Sequence, residues 1–165
     1  MIRRSLSAVL VLALFLAAPV LAASPPWTAA GTTAVIDESS VPLYALTPPY
    51  LGFNGTGLGV INAYFNVTDT SGAGTGVTTW NTLQISYFDN SIQSQVWATL
   101  YQLDKCNGTV TPLCTVTSVD NAANVCKECS FSNVIDFNRY DYWVTAFLYR
   151  SSTALQPKLF GVRIF

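Results

Sequence analysis

Four cysteines are the residues of this chain with the most definite chemistry. Cys106, Cys114, Cys126 and Cys129 all lie within one short stretch. An even number of cysteines in an exported chain predicts two disulfides, and three pairings are open. A zinc site would need two close pairs, and this spacing has only one. The last two cysteines also form a Cys-x-x-Cys motif, but its redox chemistry needs a following helix, and residues 130–132 indicate a strand.

The pairing depends on the shape of the segment after Cys106. If Asn107-Gly108 closes a tight hairpin, Cys106 and Cys114 are several residues apart at about 3.3 Å each, which exceeds bridging distance. The nested pairing, Cys106–Cys129 with Cys114–Cys126, would then follow. Pro112 cannot donate to a sheet ladder, so the segment also fits a wide loop. A wide loop allows Cys106–Cys114 and Cys126–Cys129, and this local pairing is the favoured prediction.

Aromatic side chains form the second candidate site. The residues that alternate with apolar core positions in two of the predicted strands are Trp97, Tyr101, Trp143, Phe147 and Tyr149. If these strand faces are outward and adjacent, they form an aromatic surface on which sugar rings stack or protein partners anchor. Two other readings stay open: burial beneath the leader and the glycine-rich loop 71–76, or burial in a subunit contact.

Catalysis has little support, because the chain contains no histidine. This absence removes the commonest general base, the usual zinc ligand and every Ser-His or Cys-His pair. Glycoside hydrolysis needs two carboxylates across a cleft, whereas Asp89, Asp104, Asp136 and Asp141 lie at turns and strand ends, where Asp serves backbone hydrogen bonding. The sequence therefore predicts no catalytic residue, no metal site and no cofactor, and a hydrolase is only the third reading.

The elements that position these residues are predicted to be strands. Apolar and polar residues alternate with period two almost throughout, and no helical pattern is present after the amino-terminal segment. The strand candidates are Thr33–Asp37, Pro42–Leu46, Gly57–Thr68, Thr82–Asp89, Gln95–Leu103, Val110–Val119, Ser130–Ile135, Tyr142–Arg150 and Leu159–Phe165.

Five of these candidates carry an apolar line on one face, and several have a polar reverse face. The lines are Ile61-Ala63-Phe65-Val67, Leu83-Ile85-Tyr87, Val96-Ala98-Leu100, Tyr142-Val144-Ala146-Leu148 and Phe160-Val162-Ile164. Such lines predict two sheets packed around one core. The predicted fold is an all-β, single-domain, antiparallel β-sandwich of eight or nine strands, disulfide-bonded and either jelly-roll or immunoglobulin-like.

The first 23 residues predict a cleaved signal peptide. Arg3 and Arg4 precede the apolar run Ala8–Ala18, and small residues close the segment. The run is too short to cross a bilayer and no second run follows, so we expect no transmembrane segment in the mature chain. Residues 24–31 predict a flexible leader and residues 32–165 the sandwich domain. The predicted location is secreted, periplasmic or on the cell surface.

Charge argues against a nucleic-acid partner. Without Arg3 and Arg4, six basic residues face nine acidic ones, a net charge of −3. Charged residues make up 10% of the chain, against roughly 25% in ordinary domains. So weak and dispersed a charge does not favour nucleic acid.

The functional hypothesis is an exported, non-catalytic protein that acts by binding or assembly, with a protein partner or a second copy of itself. The alternative is a carbohydrate-binding module that holds polysaccharide on the aromatic residues Trp97, Tyr101, Trp143 and Phe147.

Overall fold

The computed structural model describes residues 23–70 and 74–165, and its regular structure is almost entirely strand. Residues 1–22 of the predicted signal peptide lie outside the described residues. No helix in the described ranges has the length and apolarity needed to cross a bilayer. The strands are β1 (Trp27–Ala30), β2 (Val35–Ile36), β3 (Tyr44–Thr47), β4 (Tyr50–Phe53), β5 (Gly59–Val67), β6 (Val77–Thr78), β7 (Thr82–Asp89), β8 (Ser94–Asp104), β9 (Val110–Thr117), β10 (Asn121–Ser130), β11 (Ile135–Asp136), β12 (Tyr140–Arg150) and β13 (Lys158–Ile164).

Two antiparallel sheets form the sandwich and confirm the predicted fold class. Sheet A has the order β10-β7-β13-β4-β3, and β1 also pairs with β13. Sheet B has the order β2-β5-β12-β8-β9, while β6 and β11 form a separate two-stranded ribbon. Two inner strands of sheet B, β8 and β12, pair in register over eleven residue positions.

The predicted apolar lines pack between the sheets. Leu83, Ile85 and Tyr87 of sheet A are fully buried, as are Val96, Ala98, Leu100, Val144, Ala146 and Leu148 of sheet B. Because successive side chains of a strand point to opposite sides, burial of these lines turns the intervening residues outward. The outward residues of β8 and β12 are the predicted aromatic ones.

One core position was predicted wrongly, in β13. The register of β13 against β7 shifts between Leu159 and Gly161, so a bulge interrupts the alternation. Leu159, Val162 and Ile164 are buried, whereas Phe160 packs edge-on against Tyr50 and lines a cleft on the outer face of sheet A.

The predicted flexible leader is also corrected. Residues 27–30 form β1, which pairs with β13, and the Trp27 side chain is 5% exposed. The carbonyl of Pro25 accepts a hydrogen bond of 3.0 Å from the indole nitrogen of Trp80. β1 follows Pro25 and Pro26 and is too short to show alternation, so the sequence indicated a loop. Pairing with β13, which is distant in the sequence, stabilises this strand.

Besides β1 and the two-residue β6, two strands were missed because their sequences do not alternate. β4 follows the proline pair 48–49, which predicts a loop. β10 is a mostly polar edge strand, and its backbone pairs with β7. The predicted strand Ser130–Ile135 is wrong, since the described chain leaves β10 at Ser130 and resumes pairing only in β11.

The favoured disulfide pairing is wrong as well. Cys114 of β9 is bonded to Cys129 of β10 with Cα atoms 6.1 Å apart, while Cys106 and Cys126 are free and exposed. Cys126 and Cys129 lie three residues apart on one extended strand, so their side chains point to opposite faces. The bond joins an edge of sheet A to an edge of sheet B.

Candidate functional site

The outer side of sheet B carries the predicted aromatic residues on one surface, which we call the aromatic face. Its members are Trp97 and Tyr101 of β8 and Trp143, Phe147 and Tyr149 of β12. The first four are half-buried, and Tyr149 is 37% exposed. The structure therefore brings all five predicted residues together on adjacent strands.

Four of the rings form two stacked pairs. Trp97 lies opposite Phe147 with ring centroids 4.8 Å apart and planes 12° from parallel. Tyr101 lies opposite Trp143 at 5.3 Å and 13°. Nearly parallel rings at these distances overlap face to face, so each ring covers part of its partner and keeps one face free. The site is therefore two paired aromatic ridges rather than one flat surface.

A row of threonines separates the two ridges. Thr145 lies opposite Thr99, and the hydroxyl of Thr99 shares a 2.8 Å hydrogen bond with that of Thr115 on β9. The ridges are four residues apart along each strand, or about 13 Å at the usual rise. Thr99 and Thr145 are buried, so they form the floor between the ridges.

Polar side chains border the ridges on β5. Asn66 lies opposite Trp143, Asn62 opposite Phe147, and Tyr64 opposite Thr145. Because β12 lies between β8 and β5, we expect the free faces of Trp143 and Phe147 to turn toward these amides. Alternation with Ile61, Ala63 and Phe65 is enough to turn the two asparagines outward, but their place beside the ridges depends on the pairing of β5 with β12.

One carboxylate lies at the edge of this face. Asp37 follows β2, and its side chain accepts hydrogen bonds from the backbone N–H and the hydroxyl of Ser39. These bonds, with a weaker one from Tyr64, hold the pKa of Asp37 below its usual value. The carboxylate of Asp37 thus remains charged. It lies near Tyr64, which is opposite Thr145 of the threonine row.

The leader does not cover the aromatic face, because its β1 strand pairs within sheet A. Of the glycine-rich loop, residues 74–76 are described, and residue 76 accepts a hydrogen bond from the backbone of Phe137. These contacts favour an accessible aromatic face over the alternative of burial beneath the leader.

The other carboxylates have structural partners. Asp89 accepts hydrogen bonds from the hydroxyls of Ser94 and Ser118, and Asp136 accepts one from the backbone of Asn138. Asp141 forms an ion pair with Lys105. Within residues 23–70 and 74–165, no three Cys, Asp or Glu side chains come together as a metal-binding group.

Asp104 supports the turn that follows β8. Its carboxylate accepts a 2.9 Å hydrogen bond from the backbone N–H of Cys106 and contacts Arg139 at 3.1 Å. The backbone hydrogen bond, followed by the interactions with Arg139, lowers the pKa of Asp104. A carboxyl whose pKa is lower when folded stabilises the fold above its unfolded pKa, about 3.9, and this contribution disappears as the pH falls.

We therefore expect Asp104→Asn to flatten the acid side of the stability profile. Urea midpoints measured from pH 6 to pH 2.5 should fall less steeply in the variant than in the unmodified protein. Parallel profiles for the two proteins would show that Asp104 has the same pKa in the folded and unfolded states.

Comparison with known proteins shows a likeness in fold only. No family model matches the sequence, and no curated protein matches it. Among solved structures, a glycosylation associate protein (Gap123) complex from Streptococcus agalactiae is similar at 9% identity over 84% of this chain, with a TM-score of 0.51. A family two carbohydrate esterase from Cellvibrio japonicus is similar at 12% identity over 86% of this chain, with a TM-score of 0.44.

The chain spans only 25% and 33% of the length of those two chains. It spans 87% of a third structure, a family 11 carbohydrate-binding module from Clostridium thermocellum in complex with a β-1,3-1,4-mixed-linked tetrasaccharide. That likeness covers 86% of this chain at 11% identity, with a TM-score of 0.40. At such identities the likeness concerns the fold, so the site has to be argued from this chain's own residues.

Proposed function

We propose that this protein is an exported carbohydrate-binding module that holds a polysaccharide chain on the aromatic face of sheet B. The observation that carries the proposal is the two stacked pairs, Trp97 with Phe147 and Tyr101 with Trp143. The C–H faces of pyranose rings pack on aromatic rings, and the two ridges offer two such contacts along one chain.

The surroundings of the ridges suit sugar hydroxyls. Asn62 and Asn66 supply amide donors and acceptors beside the free faces of Phe147 and Trp143, and Thr115 supplies a hydroxyl on the other side. A few polar groups around an apolar contact surface are what orients a small ligand. The proposal is non-catalytic, because Asp89, Asp104, Asp136 and Asp141 serve the backbone, serines or basic side chains.

The Cys114–Cys129 disulfide supports a function outside the cytoplasm, because disulfide bonds persist in oxidising compartments. Together with the signal peptide predicted from the sequence, it supports export as part of the proposal.

Trp143→Ala should weaken polysaccharide binding by about 2 kcal/mol or more, roughly thirtyfold in Kd. The substitution removes the indole ring that stacks on Tyr101 and lies opposite Asn66. Retention on insoluble polysaccharides and affinity electrophoresis in soluble ones measure the effect. Trp143→Phe, which retains an aromatic ring, should lose less.

Ile92→Ala is the matched control for non-specific adsorption. Ile92 is 89% exposed in the turn before β8 and is not a member of the aromatic face, so its removal should leave retention unchanged. Equal losses in both variants would contradict the proposal.

Self-association through the same face is the competing function. It predicts a concentration-dependent dimer or filament by sedimentation, no glycan retention, and dissociation of the assembly by Trp97→Ala with Trp143→Ala. That combination would replace the carbohydrate proposal with assembly.

A further inference from the structure

A cleft of about 240 Å³ opens on the outer face of sheet A, in the opposite sheet from the aromatic face. Gly161 of β13 lies on its floor, between Phe160 and Arg163 along the strand. A Cβ atom at Gly161 would lie 3.0 Å from the carbonyl oxygen of Ala29, so the β1 backbone closes in on the floor.

One wall of the cleft is polar. Across the sheet, Thr28 pairs with Arg163, Arg163 with Gln84, and Gln84 with Glu128. The Gln84 amide nitrogen donates a 2.5 Å hydrogen bond to the Glu128 carboxylate, which leaves the amide oxygen of Gln84 free to accept. Ser86, opposite Gly161, adds a hydroxyl.

Arg163 supplies the positive charge of this wall. Its guanidinium carbon lies 4.5 Å from the ring centroid of Phe165, which orients the group. Both ion pairs found in the described ranges involve other basic residues, Lys105 and Arg139, so Arg163 has no carboxylate partner there. Its N–H donors are therefore available.

The other wall is aromatic and is formed by Phe160. Phe160 packs edge-on against Tyr50, and the ammonium of Lys158 lies 4.6 Å from the Tyr50 centroid and 5.5 Å from that of Phe88. Arg163 lines the cleft, whereas Lys158 lies against the Tyr50 ring, outside the lining. The carboxylate of Glu128, on the strand next to Gln84, already accepts the hydrogen bond from Gln84.

We propose that this cleft binds a uronic acid residue of an acidic polysaccharide. The sugar's carboxylate pairs with the guanidinium of Arg163, its hydroxyls bond to Thr28, Ser86 and the Gln84 oxygen, and a C–H face contacts Phe160. Pockets for drug-sized ligands measure about 300–1,000 Å³, so this smaller cleft suits a single sugar unit. The site uses no residue of the aromatic face and does not depend on the function proposed for it.

Isothermal titration with trigalacturonate tests the proposal, and the carboxyl-reduced trisaccharide serves as the matched neutral ligand. Arg163→Ala should raise the Kd for trigalacturonate about tenfold or more. The Kd of Arg163→Lys should lie between those of the unmodified protein and Arg163→Ala, because lysine retains the charge without the planar pair of donors. Glu128→Gln should bind as tightly as the unmodified protein or more tightly, because a nearby negative charge is removed. Arg163 and Glu128 are exposed, so these variants should fold normally.

Cys126 reports where the ligand sits. It is exposed and lies directly opposite Ser86 on the neighbouring strand, whereas Cys106 is in the turn between β8 and β9 of the other sheet. Trigalacturonate should slow the alkylation of Cys126 by N-ethylmaleimide and leave Cys106 unaffected, as followed by mass spectrometry. Arg163→Ala should abolish the protection.

Several outcomes would overturn the proposal: no measurable binding at millimolar trigalacturonate, equal binding of the carboxyl-reduced form, or a Kd unchanged by Arg163→Ala. Tighter binding of tetraglutamate would assign the cleft to acidic peptides instead. Trp97→Ala combined with Trp143→Ala should leave trigalacturonate binding intact. The experiment therefore distinguishes failure of the function proposed for the aromatic face from failure of the proposal for this cleft.

Discussion

Replacement of Arg150 by methionine is expected to lower the free energy of unfolding by roughly 3–5 kcal/mol. Arg150 ends β12 and is fully buried. Its guanidinium donates to the backbone carbonyls of Gly57, Leu155 and Gly55 at 2.8, 3.0 and 2.6 Å. Methionine has a similar length but no donor, so three carbonyls lose their partner at once. Urea unfolding measures the change.

Charge as well as shape matters at this position. The guanidinium lies 4.4 Å from the ring centroid of Phe53, and burial lowers the pKa of Arg150 without removing its charge. Arg150→Lys should recover part of the loss, because one ammonium cannot reach three carbonyls in the same directions. Arg163→Met, the same substitution at an exposed site, should change stability by less than about 0.5 kcal/mol. A similar small change at Arg150 would contradict the assigned role.

Removal of the Cys114–Cys129 bond should cost about 3 kcal/mol. The two cysteines are 15 residues apart, and closing a loop of that size restricts the unfolded chain by about this amount. Cys114→Ala combined with Cys129→Ala tests it by urea unfolding without a reductant. The matched control is Cys106→Ala combined with Cys126→Ala, which removes two exposed free thiols and should leave the unfolding midpoint unchanged.

A shifted midpoint in the control pair would mean that Cys106 or Cys126 also forms a bond in the folded protein. Thiol titration of the native protein distinguishes the cases, because two reactive thiols are expected and a second bond would leave none.

The strands of the core were predictable because each buries one face. The strand over Thr82–Asp89 has the predicted bounds, since alternation extends to both of its ends. β10 was not predictable in this way, because an edge strand held by backbone pairing and one disulfide needs no apolar side chain every second residue. Phe160 was misplaced because a bulge changes the phase without a clear mark in the sequence.

The members of the aromatic face were predictable, but their arrangement was not. Alternation alone places Trp97 and Trp143 on the outer sides of their strands. Which ring stacks on which depends on the register between β8 and β12. These strands are separated by 35 residues, which include β9 and β10, so the sequence does not show their register. The disulfide pairing failed for the same reason, since it depends on which sheet edges meet.

The two sides of the sandwich are closed by different means. On one side the chain passes directly from β2 of sheet B to β3 of sheet A, and the buried Ser40 hydroxyl accepts a hydrogen bond from the backbone of Asn62. On the other side the Cys114–Cys129 bond joins β9 to β10. Reduction of this bond should therefore loosen only one side of the sandwich. Amide hydrogen exchange should accelerate first along β9 and β10, while the side closed by the polypeptide itself stays protected.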